Sequence, residues 1–272
     1  MTGGRLAPFE ACIDADLVRQ FAAATNDASD DVRAGKVVPL TMLATMIWPA
    51  QEASRAATVP EAVQRSASGG VHGEHDVVVH RPIVPGEALR TWVESHGVRP
   101  AGRNAAVTAR YSTFDADEAL VAEQWWTTVY LGATCDVSGE PAPDHVFPSE
   151  ARERLIGVHE VEVDADMAHR YAEVSGDWSA HHFELEAARA SSADRPFLHG
   201  LCTMALCAEA AVAVAADGEP ARLGRVAVRF AAPMPLGERL EVSVYDAGPV
   251  GVAFEAACEG VAVITNGRAE LR

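Results

Sequence analysis

Lys36 is the only lysine in a chain of 272 residues, and 22 basic against 39 acidic side chains leave a net charge of −17. Nucleic acids are gripped through clusters of Lys and Arg on phosphates, so a nucleic-acid partner is excluded as a main role. Cysteine is sparse. Cys12, Cys135, Cys202, Cys207 and Cys258 are scattered, odd in number and free of any C-x-x-C pair, which excludes a disulfide framework and reads as reduced thiols of a cytosolic protein. No basic segment followed by an apolar stretch opens the chain, so no secretory signal is expected. The apolar run Leu201 to Ala216 carries Glu209 and is too short and mixed to span a bilayer. The expectation is a cytoplasmic protein with no membrane partner.

What is present is a repeat. Phe21-Ala22-Ala23-Ala24-Thr25-Asn26-Asp27 matches Tyr171 to Asp177 at an offset of 150 residues, and Arg81 to Leu89 matches Ala232 to Leu240 at 151. Two matched blocks at nearly one offset argue for a duplicated unit. The length suits two domains, each able to bury a core, and the Gly-, Pro- and acid-rich stretch Gly132 to Asp144 reads as their connector. Each half supplies a short helix, an irregular loop, one long apolar helix and a run of strands. In the first half the long helix is expected from about Val38-Pro39-Leu40 to Ala50 or beyond. Strands are expected at 75–80, 88–96, 105–112 and 119–131, then at 158–163, 225–231, 239–245, 251–258 and 261–271. Alternation is plain in Arg225-Val226-Ala227-Val228-Arg229-Phe230,. An apolar helix that needs covering and antiparallel strands to cover it make an α+β fold.

The chemistry concentrates in Tyr171-Ala172-Glu173-Val174-Ser175-Gly176-Asp177-Trp178-Ser179-Ala180-His181-His182 and in Phe197-Leu198-His199-Gly200-Leu201. Asp177 follows a Ser-Gly pair suited to ending a helix. Five residues apart on one helix, Asp177 and His182 would point about 140° apart, so a turn between them is required if they are to converge. Converged, the carboxylate orients the imidazole, whose pKa near 6.5 suits proton transfer. His199-Gly200 opens the long apolar helix. The N–H groups of a first helical turn lack intrahelical partners and carry the positive dipole end, and a glycine there lets a carbonyl oxygen approach as in an oxyanion hole. The first half keeps Asp27 but has no histidine after it and Val37-Val38 in place of His199-Gly200. It also carries extra length around Thr58-Val59-Pro60 and Ser66 to Gly70, which reads as a wider lobe or a mobile loop. His181-His182-x-Glu184 lacks the i, i+4 spacing of a helical zinc pair, and no cysteine lies nearby.

These residues resemble the MaoC-like hydratases and dehydratases of the hotdog fold. That family runs roughly Tyr-Ala-x-x-Ser-Gly-Asp-x-Asn-Pro-[Ile/Leu]-His-x-Asp and then opens its central helix with an HGL or HGM segment. Asp177, His182 and Gly200 fall on its Asp, His and Gly. Ser179-Ala180-His181 departs from Asn-Pro-[Ile/Leu], and Glu184 replaces the second Asp. The resemblance implies a tandem hotdog, each half an antiparallel sheet wrapped around a long helix: residues 1–135 a degenerate half, 136–150 a linker and 151–272 the catalytic half. It implies (R)-specific, reversible hydration of a trans-2-enoyl thioester of coenzyme A or acyl carrier protein. Asp177 and His182 would activate the water and protonate the α-carbon, and the Gly200 amide would hold the thioester oxygen. Ser179, His199 and Leu201 would border the substrate. No cofactor and no metal are implied, and a homodimer is. Arg81, Arg90, Arg189, Arg195, Arg222, Arg225 and Arg229 are candidates for coenzyme A phosphates. Two alternatives stay open: a hotdog thioesterase in which Asp177 directs water at the carbonyl, and an inactive acyl-thioester-binding subunit of a hetero-oligomer.

Overall fold

Two runs of strand meet edge to edge, and that seam organises the molecule. The computed structural model describes residues 7–191, 193–249 and 251–272, so the first six residues of the expected 1–135 unit lie outside it. The first half runs β1 (Phe9–Cys12), α1 (Ala15–Thr25), α2 (Asp30–Arg33), α3 (Leu40–Met46), α4 (Trp48–Thr58), α5 (Glu61–Ser66), β2 (Gly69–Val79), β3 (Ala88–Ala101), β4 (Asn104–Phe114), β5 (Leu120–Leu131) and β6 (Ser138–Gly139). The second runs β7 (Leu155–Glu162), α6 (Met167–Ser175), α7 (Leu185–Ala190), β8 (Phe197–Leu198), α8 (Gly200–Ala215), β9 (Leu223–Phe230), β10 (Met234–Pro235), β11 (Arg239–Asp246), β12 (Val252–Cys258) and β13 (Val261–Leu271).

From the seam outward the order is β2-β5-β4-β3-β1 on one side and β9-β13-β12-β11-β7 on the other, all antiparallel. Each half therefore builds its sheet in the same sequence. The seam itself is β2 against β9, with Glu74 opposite Arg229 and Asp76 opposite Ala227. The duplication extends to single hydrogen bonds. Helices α1 and α6 both end in a left-handed residue, Asn26 at φ 57° and Gly176 at φ 73°, whose N–H reaches the Ala22 or Ala172 carbonyl, a geometry that closes helix C-termini. Gly86 and Gly237 share positive φ and donate to Ile13 O and Val163 O, each at 2.8 Å.

Helix α8 is buried on nearly every side, from Leu201 through Ala208 and again over Ala210–Val212. Its all-round apolar sequence suits the centre of a wrapped sheet. Met42 and Leu43 of α3 share one core with Met204 and Leu206 of α8, Phe21, Tyr171 and Phe254. Burying each such side chain contributes about 1.5–3 kcal/mol.

Three expectations change. The first-half helix is two helices, broken at Ile47. Pro49 cannot donate to an i−4 carbonyl, so it sits in the first turn of a new helix, where the missing N–H costs nothing. The extra length is ordered: Glu61–Ser66 is α5, Gly69 and Gly70 begin β2, and Val59 and Val63 pack against Val98, Val107 and Tyr130 in a satellite core. Strand β1 and the two-residue β8–β10 pairing are additions, too short to show a period in the sequence.

Candidate active site

The turn required between Asp177 and His182 is a left-handed Gly176 followed by a single 3-10 turn over Ala180–His182. Asp177 Oδ1 accepts from Ser179 N at 3.1 Å and from Ser179 Oγ at 2.5 Å. Ser179 thus performs the turn-holding task of an Asx motif and fixes which carboxylate oxygen is left over. That oxygen, Oδ2, lies 3.9 Å from His182 Nε2, beyond hydrogen-bond reach. The same motif recurs in the first half, where Ser29 N donates to Asp27 Oδ1 at 2.7 Å.

Tautomers follow from the partners. His182 Nδ1 bonds the Phe197 carbonyl at 2.8 Å; a carbonyl only accepts, so Nδ1 carries the proton and Nε2 keeps a lone pair. His199 Nε2 bonds the Asp177 carbonyl at 2.9 Å, which leaves a lone pair on its buried, unpartnered Nδ1. The two imidazoles stack with centroids 3.7 Å apart. Burial pushes the His182 pKa well below its ordinary 6.5, and His199 and His181 push it further. His199 is pushed down to about 4, chiefly by burial against the opposing bond to Asp177. Both rings are therefore neutral acceptors at physiological pH. Oδ2 of Asp177 and Nε2 of His182 form a pair of acceptors facing one gap, the geometry that grips both hydrogens of one water.

Asp177, His182 and His199 also form the one trio among the described residues whose ligand atoms, within 4.8 Å of one another, could hold a metal ion. Spacing along the chain did not reveal it, because His199 arrives from the far side of α7.

Gly200 starts α8 with no side-chain cap, so its first-turn N–H groups are free for a ligand. A Cβ added there would meet the Phe230 ring at 3.2 Å. Asp177, Ser179, His182, His199, Gly200 and Leu201 all line one cavity of about 470 Å³. The first half supplies the other wall: Trp48, Gln51, Glu52 and Arg55 from α4, His72 from β2, and Trp126, Thr128 and Tyr130 from β5. Sequence inspection passed over all of these. Tyr171, the first residue of the motif, is held by Thr45 of α3 at 2.6 Å, which ties the motif helix to the first half. His181 stacks on Phe197 at the same cavity.

The seven candidate arginines do not line the cavity. Arg81 pairs with Glu87 and Asp115, Arg225 with Asp76 and Glu270, and Arg229 with Glu74; Arg90, Arg189, Arg195 and Arg222 each pair with a carboxylate as well. Arg55, exposed at the rim, is the arginine that does line it. Asp27 faces a separate cavity of about 420 Å³ with Glu209, whose carboxyl burial raises well above its ordinary range. The wall there carries an imidazole after all, that of the exposed His159 from β7.

Residues 146–265 match the MaoC-like domain. That match lies within the second half of the chain. Enoyl-CoA hydratase 2, peroxisomal, of Arabidopsis thaliana is 24% identical over 179 residues, which cover 62% of this chain and 58% of that protein. The chain thus spans little more than half of that relative, and 30% of a peroxisomal multifunctional enzyme type 2 from Drosophila melanogaster. A MaoC-like dehydratase from Phytophthora capsici superposes with a TM-score of 0.83 at 20% identity, over 98% of this chain and 94% of that one. A conserved hypothetical protein of Mycobacterium tuberculosis with a double hotdog fold superposes at 0.58 and 15% identity, over 100% and 94%. The fold is accordingly a double hotdog, with the family match falling in its second half. No described helix is long and apolar enough to cross a membrane.

Proposed function

We propose that the chain is an (R)-specific hydro-lyase acting on trans-2-enoyl thioesters, and that Asp177 and His182 are its catalytic pair. The observation that carries this is the 3.9 Å gap between two lone-pair acceptors, Asp177 Oδ2 and His182 Nε2, in the cavity where α8 begins. A water in the gap gives both hydrogens to the pair and keeps its own lone pair for the β-carbon. As the C–O bond forms, the water's proton passes to the pair and the C2=C3 electrons move onto the thioester oxygen. The uncapped amide of Gly200 receives that charge. A proton from the pair then reaches the α-carbon, and the net change is addition of H and OH across the double bond. Dehydration runs the same path backwards. The aromatic and aliphatic lining of Trp48, Trp126, Phe230 and Leu201 supports an acyl ligand, with Ser179, His199 and Leu201 bordering it. Arg55 at the rim replaces the earlier seven as the phosphate contact for coenzyme A or acyl carrier protein.

Residues 1–135 are proposed as the cleft-completing half, 136–150 as the linker and 151–272 as the catalytic half. A cytoplasmic homodimer belongs to the same proposal. The Arabidopsis relative's name, an enoyl-CoA hydratase, supports the reaction class. Incubation with crotonyl-coenzyme A, following enoyl absorbance and free thiol together, tests it. Absorbance lost without thiol is the expected result. Thiol release would make the protein a thioesterase, and no change across a range of acyl lengths would leave it a binding subunit.

A further inference from the structure

Two buried acceptor atoms on the first-half wall of the cavity have no partner: Nε2 of His72 and Oε1 of Gln51. An unsatisfied buried polar atom costs about 1–3 kcal/mol, so a place where two face one cavity calls for a ligand. The chain has arranged for His72 to be there. In a regular strand His72 and His75 would point to opposite faces. The register of β2 slips between His72 and Glu74, and this bulge at Gly73 brings both rings to one face of the strand, edge to face with centroids 5.2 Å apart. Bulges re-aim side chains beside functional sites.

His72 is then clamped. It lies flat on Trp126 at 3.7 Å and 2°, and its other flank meets Phe230 at 4.7 Å. The backbone of Glu74 favours the charged ring, as a nearby carbonyl does, and Nε2 is without a partner; the proton therefore sits on Nδ1 and Nε2 keeps its lone pair. Burial keeps the ring neutral. Gln51, one turn into α4 beyond Trp48, adds an amide oxygen, again an acceptor. Phe230 also stands at Gly200, so the ring that flanks His72 also touches the residue whose amide would hold the thioester.

We propose that this wall reads a hydroxyl group on the acyl chain, making the substrate class hydroxylated acyl thioesters rather than plain hydrocarbon ones. The proposal rests on the thioester reading above. Two unpartnered acceptors define what fits: a group that gives hydrogen bonds, set against a flat aromatic slot. A plain alkyl chain would bury both lone pairs unsatisfied, and sites built to bond a hydroxyl discriminate strongly against the analogue lacking it.

The test uses equilibrium binding, so it stands apart from turnover. Saturated acyl-coenzyme A thioesters from hexanoyl to decanoyl, and the same ladder with a terminal hydroxyl, are titrated calorimetrically into the full chain. The hydroxylated member is expected to bind about tenfold tighter or more at the chain length that reaches the wall, the value of one good hydrogen bond. His72→Phe keeps the stack on Trp126 and is expected to reduce the ratio to about one. Gln51→Leu should reduce it in part, and carries the test if the first variant does not fold. Equal or weaker binding of the hydroxylated ligand at every length, as when water already satisfies both atoms, overturns the inference. So does a preference that survives in the variants. If the hydroxylated ligand binds as expected while no enoyl thioester is hydrated, the reaction proposal fails and this one stands.

Discussion

Asp177→Asn is the sharpest probe of the water-gripping pair, because the structure dictates which way the new amide must face. Oδ1 of Asp177 accepts from both the N–H and the hydroxyl of Ser179. An asparagine keeps those two bonds only by placing its oxygen there, so its NH2 occupies the Oδ2 position beside His182 Nε2. A donor then stands where an acceptor stood. The pair that grips a water is broken, and the carboxylate that takes its proton is gone. The turn is retained, so unfolding stability should change by less than about 1 kcal/mol, the range of substitutions that keep their hydrogen bonds. General acid–base catalysis contributes about 10²–10⁴-fold, so kcat should fall by that factor, about 3–5 kcal/mol of barrier. KM for crotonyl-coenzyme A should move little, since the ligand's contacts are elsewhere. Stopped-flow loss of enoyl absorbance, with thermal unfolding as the control, gives both numbers. A variant that keeps more than about a tenth of wild-type kcat would refute the mechanism, since a proton acceptor normally contributes far more.

Gly200→Ala should separate function from stability: its Cβ presses on Phe230 and lowers kcat/KM about tenfold, while the fold holds or gains up to about 1 kcal/mol from a stiffer unfolded chain. Arg225→Met strands Asp76, whose side chain is 4% exposed, and should cost about 3–5 kcal/mol in urea unfolding; a loss under about 1 kcal/mol would discard that ion pair as a tie. Stability should also fall on acidification. His75 is fully buried and held down to about 4 by burial against its bond to Gln124, so between about 6.5 and 4 the unfolded chain binds a proton that the fold refuses. Its share of the loss from pH 7 to pH 5 is about 2 kcal/mol, and a urea midpoint unchanged across that range would contradict it. Dialysis against a chelator should leave hydration unchanged; activity lost and restored by zinc would assign Asp177, His182 and His199 to a metal ion.

The candidate-site motif was legible because it is local. Gly176, Asp177, Ser179 and His182 build their turn from bonds spanning two to four residues, and His199-Gly200 announces a helix start by residue type alone. The strands of both halves were legible from alternation, and the pairing of halves from the repeat. The opposite wall was not. Gln51, Arg55 and His72 reach the cavity through tertiary packing, and nothing near them in the chain distinguishes them from surface residues. The bulge at Gly73 reverses the side that strand period assigns to His72, which a count of two would place on the wrong face. Arginine type misled because all seven candidates are absorbed by carboxylates, some of them far away in sequence, as Arg225 is by Asp76 and Arg229 by Glu74.

The seam between β2 and β9 runs directly under the cavity, since His72 belongs to one strand and Phe230 to the other. A clamshell motion that parted the two halves would have to unzip that ladder and pull apart the guanidinium–carboxylate ties crossing it. A ligand of the proposed reaction would therefore enter past the exposed Arg55 on the cavity wall, and gating would fall to side chains there rather than to the sheet.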